Sequence, residues 1–380
     1  MVHVAVIGAG PVGIDAALAA HERGWDVVVY ERASRVAGNV RDWAHVRMFT
    51  PWAIDVSPRM VAAVAAPPGG CPSGADFADY LDRVAGRLPA GAVRLGTTVE
   101  AVGREGLLKS DEIGTGERDR RCFRLLVRAG DGAEVIEHAD VVVDCSGTWH
   151  NPAPLGAAGI PAPGERSCDV VRRIPEVDGS WAGRRVLLAG AGKSAQTAAR
   201  ALAGAGADLT WAVRSLAPTW GAVDDDPLPD RAALVTSSQA IDRAGHVRKG
   251  VTVQALAAVG EGVQVDLAGA DGATTRIVVD RVVSLVGASP DAGIYRQLQV
   301  HECYATEGPM SLAATLLGSA GGDCLAQVSP GVDSLRNPEP QFFVLGSKSY
   351  GRTSTFLLRV GYDQVDAVFA SLADELSPQA

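Results

Sequence analysis

Two stretches of the chain show the same succession of a short apolar run, a glycine-rich turn and a segment with helical periodicity. In the first, Val4–Ile7 precedes the turn Gly8–Gly13, and apolar positions at helical spacing run from Ile14 to about Glu22. Gly24 ends this helix, and a second apolar run covers Asp26–Tyr30. The pattern predicts a strand, a helix and a further strand.

The glycines and the acid of this first stretch have the spacing of a dinucleotide-binding turn. Gly8 allows a tight turn, Gly10 lets backbone N–H groups approach a pyrophosphate, and Gly13 lets the helix pack on the strand. Glu31 ends the second strand, 23 residues after Gly8, and can accept hydrogen bonds from both ribose hydroxyls. With Pro11 and Val12 in the turn, the stretch predicts a site for an unphosphorylated adenosine, such as that of FAD or NAD.

The second stretch repeats this spacing but ends in a base. The apolar run Arg185–Ala189 precedes a turn with Gly190, Gly192, Lys193, Ser194 and Ala195, a helix to about Ala203, and the strand Asp208–Val213. Arg214 then stands where the first copy has its acid, and a guanidinium there favours a 2′-phosphate. The second copy therefore predicts NADPH binding in preference to NADH.

Both copies continue with short alternating strands and close on a strand followed by glycine. Strands are predicted at Val93–Val99, Phe123–Val127 and Ala139–Asp144 before Ser146 and Gly147, and at 251–256, 263–267 and 281–286 before Gly287. Ligands bind at the carboxyl ends of such sheets. The chain is therefore predicted to be an α/β protein with two Rossmann-like, three-layer dinucleotide-binding domains. Two such domains, one for an unphosphorylated and one for a phosphorylated nucleotide, predict FAD and NADPH as cofactors that face each other.

Composition and charge limit the kinds of partner and the location that are expected for the chain. The formal charge is −9, and the basic residues are scattered, which argues against a nucleic-acid partner. No stretch is apolar enough to span a membrane, and the N-terminus shows no export signal, so a cytoplasmic location is expected. The six cysteines form no C-x-x-C and no metal-ligand grouping, so no metal site is predicted, and Cys303 and Cys324 are expected to be inert thiols.

Four segments, in this order along the chain, carry a resemblance to the flavin-containing monooxygenase group of flavoproteins with two dinucleotide-binding domains. They are Glu31–Val40 with Arg32, Gly38 and Asn39, then Val46–Trp52, then Cys71–Gly74 with Tyr80-Leu81, and finally Cys145–Pro152. The stretch 159–181 departs from the group because it contains neither the Phe nor the His that usually precede the second glycine turn.

The resemblance implies FAD in a first domain, residues 1–152 and 325–380, and NADPH in a second domain, residues 153–324, that is inserted in the first. It further implies a small-molecule monooxygenase that activates oxygen as a C4a flavin peroxide and acts at a nitrogen, sulfur or carbonyl centre. Two alternatives stay open: a reductase or dehydrogenase without oxygen insertion, and a flavin-bearing redox sensor. Residues 289–324 are predicted either to cover the substrate or to form a homodimer contact.

The C-terminal stretch is expected to complete the flavin site. The strand Gln341–Leu345 leads into a turn with Gly346, and a helix is predicted from Thr353, with backbone N–H groups near Thr355 and Phe356 facing the flavin. Further cofactor contacts are assigned to Val40 and Val99. The candidates for groups that act at the flavin are His45, Arg47 and Tyr350.

Overall fold

The computed structural model describes residues 1–318, Leu325 and residues 331–376. It divides into two compact units. Unit 1 consists of Met1–Asn151 and the described part of Ser289–Ala380, and unit 2 of Pro152–Ala288. Cys324 lies outside the described residues. The predicted domain boundary between residues 324 and 325 is at the edge of the same stretch.

The secondary structure is as follows. The strands are β1 (His3–Ile7), β2 (Asp26–Tyr30), β3 (Val93–Arg94), β4 (Thr98–Arg104), β5 (Phe123–Arg128), β6 (Glu134–Ala139), β7 (Val141–Asp144), β8 (Val170–Val171), β9 (Arg185–Ala189), β10 (Asp208–Val213), β11 (Val247–Lys249), β12 (Val251–Val259), β13 (Gly262–Gly269), β14 (Thr274–Val279), β15 (Arg281–Ser284) and β16 (Phe342–Val344). The helices are α1 (Pro11–Glu22), α2 (Gly38–Arg41), α3 (Trp52–Asp55), α4 (Pro58–Ala63), α5 (Gly74–Ala85), α6 (Lys193–Gly204), α7 (Pro229–Arg243), α8 (Met310–Gly318) and α9 (Leu358–Leu376).

Unit 1 is built on a parallel sheet with the strand order β16-β7-β1-β2-β3. Its central strands are apolar and buried, as expected of a parallel sheet covered on both faces. One core packs α1, α5 and α9 against the sheet, and a second core lies between the sheet and the antiparallel strands β4, β5 and β6. The predicted three-layer arrangement is confirmed.

Unit 2 repeats this plan. Its parallel sheet has the order β11-β10-β9-β15-β8, and the antiparallel strands β12, β13 and β14 cover one face. The helix α6 connects β9 to β10, as α1 connects β1 to β2. The duplication read from the two glycine turns is therefore a duplication of whole sheet units.

Two predicted strands are each split in the structure. The run Val93–Val99 contributes β3 to the parallel sheet and β4 to the antiparallel sheet, because Gly96 turns the chain between them with φ +61°. The run 139–144 divides at Asp140 into the end of β6 and the whole of β7. Apolar alternation shows that both halves are extended, but it cannot show that they enter different sheets.

The chain returns to unit 1 earlier than predicted, at Ser289 instead of residue 325. Tyr295 packs against Phe342 with their ring centroids 5.3 Å apart, and Leu312 is buried in the core formed around α1. Glu339 accepts a hydrogen bond from the backbone N–H of Gln299 at 2.9 Å. Residues 289–318, which the sequence assigned to the second domain, are therefore part of unit 1.

A buried carboxyl group lies where α3 meets α9. Asp55 accepts a hydrogen bond from the Thr50 hydroxyl through Oδ1 (2.6 Å), while its Oδ2 has no partner among the described residues. Burial raises the pKa of Asp55 from its ordinary value of 3.8 to about 7, against the opposing effect of the Thr50 hydrogen bond. The folded state therefore binds this proton more tightly than the unfolded state does.

We expect Asp55→Asn to change how stability depends on pH. A raised folded pKa contributes stability that is fully present below pH 4 and is lost as the pH rises through about 7. From pH 5 to pH 7 the free energy of unfolding of the variant should rise relative to wild type by on the order of 2 kcal/mol. Urea denaturation at both pH values measures this. A difference between the two proteins that does not vary with pH would contradict the burial argument.

Candidate functional site

The three glycines of the first turn are required for three different reasons. Gly8 has φ +99°, and a Cβ there would lie 2.8 Å from the carbonyl oxygen of Cys145. A Cβ at Gly13 would lie 1.9 Å from the carbonyl oxygen of Gly8, so α1 contacts the turn directly. A Cβ at Gly10 would meet no atom within 4 Å. Gly8 and Gly13 therefore serve close packing, whereas Gly10 faces open space.

The N-terminus of α1 is arranged to receive an anion. Gly10 is its N-cap and Pro11 its first residue, and no side chain caps the helix. The backbone N–H groups of the first turn would otherwise need a partner, and the helix dipole adds partial positive charge there. Gly10, Pro11 and Val12 line an open cavity. This is the arrangement in which helix N-termini bind phosphate groups.

Glu31 is held in place beside this turn. Its Oε2 accepts a hydrogen bond from the backbone N–H of Ala9 (2.7 Å), and its Oε1 accepts one from Ala33 (2.8 Å). The side chain is buried but lines the same cavity. Each carboxylate oxygen keeps a second lone pair that can accept a further hydrogen bond. The two backbone bonds fix the acceptors that the sequence assigned to a ribose.

The cavity has a volume of about 490 Å³ and lies at the carboxyl ends of β1, β2 and β7. All of the described residues that line it belong to unit 1. The predicted residues that line it are Gly8, Gly10, Pro11, Val12, Glu31, Arg32, Gly38, Asn39, Val40, Val99, Ser146, Gly147, Gly346 and Phe356. A larger hollow of about 640 Å³ lies at the amino ends of the same strands, between Val2, Trp25, Asp140 and Gln341. Because ligands of such sheets bind at the carboxyl ends, we assign the site to the first cavity.

Several wall residues had no predicted role. They are Tyr30, Ala37, Trp43, Met48, Phe77, Thr97, Thr98, Cys145, Thr148, Trp149, His150, Asn151, Asp291, Ile294, Ser347 and Leu358, together with Ile7 at the strand end. Trp149 to Asn151 belong to a segment that carried the family resemblance, so their position was available as a signal. Asp291 and Ile294 belong to the segment assigned to the other domain, and nothing in the sequence placed them here.

His150 is the one histidine among these wall residues. Partial burial and the nearby Arg32 guanidinium lower its pKa from the ordinary value of 6.5, so its imidazole is neutral at pH 7. A neutral imidazole can both donate and accept a hydrogen bond. The neighbouring Trp149 indole donates to Asp42 (3.0 Å), which fixes this part of the wall.

The C-terminal helix begins later than predicted. The turn Gly346–Tyr350 ends at Gly351 with φ +61°, and helical geometry resumes only at Leu358, five residues after Thr353. Phe356 and Leu358 line the cavity, whereas Thr355 does not. The predicted N–H donors therefore precede the helix instead of forming its first turn.

The three candidates for groups that act at the flavin do not line the cavity. His45 and Arg47 are exposed, and Arg47 lies in a short bridge to Ser73. Tyr350 is buried with its ring against Phe356 (centroids 5.3 Å apart), and its hydroxyl has no partner among the described residues. His45 and Arg47 are therefore not part of the cavity lining. Tyr350 packs against the lining residue Phe356.

The second glycine turn in unit 2 has the same geometry. Gly190 has φ +122°, with a virtual Cβ 2.1 Å from the Leu285 carbonyl oxygen, and Gly192 again has nothing within 4 Å. The helix α6 begins at Lys193 with Gly192 as its uncapped N-cap, and Ala195 is buried behind it. This turn can therefore also present backbone N–H groups to an anion.

The predicted side-chain ligands of unit 2 differ in how they are held. The Lys193 ammonium donates to the Trp220 carbonyl oxygen (2.9 Å), which ties the loop after β10 to the start of α6. Ser194 and Arg214 are exposed, and Gly287 has φ +103° at the exit of β15. Arg214 follows β10 at the carboxyl end of the sheet, where the sequence placed it.

Comparisons with known proteins fit this architecture. Residues 6–68 match the family described as an NAD(P)-binding Rossmann-like domain. No curated protein matches the chain. Among solved structures, bacillithiol disulfide reductase from Bacillus cereus is similar with a TM-score of 0.75 and 19% identity, over 98% of this chain and 99% of that one.

Two further solved structures are similar over nearly the whole chain. Flavin-containing monooxygenase from Stenotrophomonas maltophilia has a TM-score of 0.67 and 19% identity, over 99% of both chains. Ornithine N-hydroxylase from Kutzneria sp. 744 has a TM-score of 0.67 and 16% identity, over 99% of this chain and 100% of that one. The chain has the fold of these two-domain flavoproteins. The resemblance read from the sequence is thereby confirmed at the level of fold.

In the described part of the chain, no group of three or more His, Cys, Asp or Glu side chains is placed to hold a metal ion. None of the described helices is long and apolar enough to cross a membrane.

We expect Gly10→Ala and Gly13→Ala to separate binding from folding. The methyl group at position 13 must displace the Gly8 carbonyl and should destabilise the protein by about 2–3 kcal/mol. The methyl group at position 10 meets nothing and should leave the melting temperature nearly unchanged, while it occupies space at the anion site. Thermal unfolding and the flavin released on denaturation measure both effects. Equal losses of stability in the two variants would contradict this division.

Proposed function

We propose that the protein is an FAD-dependent oxidoreductase that is reduced by NADPH. FAD would occupy the cavity of unit 1, and NADPH would bind at the second glycine turn in unit 2. The observation that carries this proposal is the pair of uncapped helix N-termini, each preceded by a glycine that faces open space. One lies beside Glu31, and the other lies in a sheet whose next strand is followed by Arg214. Bound FAD would supply the redox chemistry, since it can accept a hydride from NADPH and pass electrons onward.

The residues of unit 1 fit a flavin dinucleotide. The open space at Gly10 admits a pyrophosphate, the first turn of α1 supplies N–H donors, and Glu31 offers fixed acceptors for ribose hydroxyls. Trp43, Met48 and Phe77 give the same cavity apolar walls, which suit an aromatic ring system. These residues bind and orient the cofactor and keep water from it.

The finer proposal is a monooxygenase of a small molecule, with molecular oxygen as co-substrate. Among the described cysteines, only Cys145 lines the cavity. Burial and the nearby Asp144 carboxylate raise the pKa of its thiol well above 9.0, so it is protonated at neutral pH. A thiol must be a thiolate to attack a disulfide. Together with the sequence segments that resemble flavin-containing monooxygenases, this favours oxygen as the acceptor of the electrons.

A reductase without oxygen insertion is the second candidate. The observation that favours it is the overall similarity to bacillithiol disulfide reductase, at a TM-score of 0.75. In that case the electrons would pass from NADPH to an acceptor other than oxygen. A Cys145→Ser variant tests the form of this candidate that uses the cavity thiol, because such a reductase should lose its turnover whereas a monooxygenase should retain it.

The deciding measurement is rapid mixing of the protein with NADPH without oxygen, and then with oxygen, while the flavin spectrum is followed. We expect NADPH to bleach the flavin without added substrate, and oxygen then to produce a species that is spectrally distinct from both oxidised and reduced flavin. A direct return to oxidised flavin, with turnover only when a disulfide or another acceptor is added, would favour the reductase. A flavin that neither NADPH nor NADH reduces would contradict both and favour a redox sensor.

Arg214→Glu should change the choice of nicotinamide. Loss of a guanidinium contact to the 2′-phosphate, followed by charge repulsion, should weaken NADPH by about 100-fold but NADH by only a few-fold. The concentration dependence of anaerobic flavin reduction measures both. Arg281→Glu makes the same charge change at the amino end of the sheet, where β15 begins, and should leave both affinities unchanged. An equal loss of affinity for both nucleotides in Arg214→Glu would contradict the assignment of Arg214 to the 2′-phosphate.

A further inference from the structure

Behind the wall of the cavity in unit 1 lies an ion pair that is completely buried. Lys348 Nζ is 2.6 Å from Asp144 Oδ2, and both side chains have no solvent exposure. Asp144 is the last residue of β7, and Lys348 belongs to the turn that follows the neighbouring strand β16. The ammonium also lies 5.1 Å from the ring centroid of Tyr295, a further favourable contact for a cation.

Three hydrogen bonds of Ser146 connect this pair to the cavity. The Ser146 hydroxyl donates to Asp144 Oδ1 (2.6 Å) and accepts from Lys348 Nζ (3.0 Å), and the Ser146 backbone N–H also donates to Asp144 Oδ1 (3.0 Å). Ser146 lines the cavity, as do its neighbours Cys145 and Gly147. The same turn is the surface against which Gly8 packs. The ion pair therefore holds the segment that shapes the floor of the cavity.

Stability does not explain why charges occupy this place. Two buried ions lose hydration that their attraction barely recovers, and apolar side chains of similar volume are often as stable or more so. The buried cluster of Glu339 with Arg104 and Arg118 is different, because its residues do not line the cavity and its guanidinium groups also bond backbone carbonyls. Lys348 and Asp144 bond each other and the cavity-lining Ser146. A charge pair in that position is better explained by what occupies the cavity.

We propose that Lys348 and Asp144 are positioning residues that hold the 145–147 turn and balance the electrostatic potential at the flavin. The inference rests on the proposed FAD site. Reduction by two electrons and one proton leaves the flavin with one negative charge more than in its oxidised form. The ammonium favours that reduced form and the carboxylate opposes it, so the intact pair nearly cancels and either partner alone does not.

The two single variants are therefore expected to shift the flavin in opposite directions. In Lys348→Met the unpaired carboxylate should lower the ratio of reduced to oxidised flavin, and in Asp144→Asn the unpaired ammonium should raise it. Each change should be about threefold or more. Lys348→Arg keeps the charge and should stay near wild type, as should the double variant Lys348→Met/Asp144→Asn.

The measurement is a reductive titration of the flavin-loaded, full-length protein in equilibrium with a reference dye, read from the spectra and not from turnover. Lys348→Met is compared with wild type at pH 8, because higher pH favours the charged form of a carboxyl group, and Asp144→Asn at pH 6, because lower pH favours the charged form of an amine. Glu339→Gln is the matched control, because it removes a buried carboxylate that does not line the cavity. It should lower stability and leave the flavin ratio unchanged.

The outcomes separate this inference from the proposed function. Equal shifts of one sign in both single variants, or no shift in either, would overturn the electrostatic role while FAD binding and reduction by NADPH stand. If Lys348→Met does not fold, Lys348→Gln answers the same question. A wild-type protein that does not bind FAD would overturn the proposed function and this inference together.

Discussion

The contact between Gly13 and the Gly8 carbonyl is the constraint on which the cavity of unit 1 depends. Because no side chain separates them, α1 begins directly against the turn that ends β1. That closeness places the uncapped helix N-terminus beside Glu31, and it presses Gly8 onto the Cys145–Ser146 turn at the end of β7. Three neighbouring strands thereby end at one wall. A small helix displacement would separate groups that must act on one ligand.

Unit 2 meets the same constraint with a slightly more open contact. Ala195 stands in the place of Gly13, and its Cβ lies 3.4 Å from where a Cβ at Gly190 would be. The tight approach there is made by Gly190 itself, against the Leu285 carbonyl at the exit of β15. The two units therefore share a backbone plan but distribute its steric demands differently. The residue that follows the second strand differs between them, Glu31 in one unit and Arg214 in the other, and we propose that this difference selects their ligands.

Much of this could be predicted from the sequence, because a dinucleotide turn is a local structure. Its glycines, helix and strand-end residue fall within about thirty residues, so spacing alone located both turns. The family resemblance and the strand exits added further residues of the wall around the first. The return of the chain to unit 1 at Ser289 could not be predicted in this way. It depends on Tyr295 meeting Phe342 and on Gln299 bonding Glu339, contacts between segments that sequence periodicity does not relate. The pairing of Asp144 with Lys348 escaped for the same reason, since 204 residues separate them.

Three of the polar groups around the cavity of unit 1 each have a fixed hydrogen-bonding role. The single hydroxyl hydrogen of Ser146 is given to Asp144, so toward the cavity this side chain can only accept, and the carboxylate of Glu31 likewise only accepts. The first turn of α1 does the reverse, because backbone N–H groups only donate. At these three places a bound molecule meets donors or acceptors that the protein cannot exchange by rotating a side chain. The cavity therefore selects the orientation of its ligand as well as the ligand's shape.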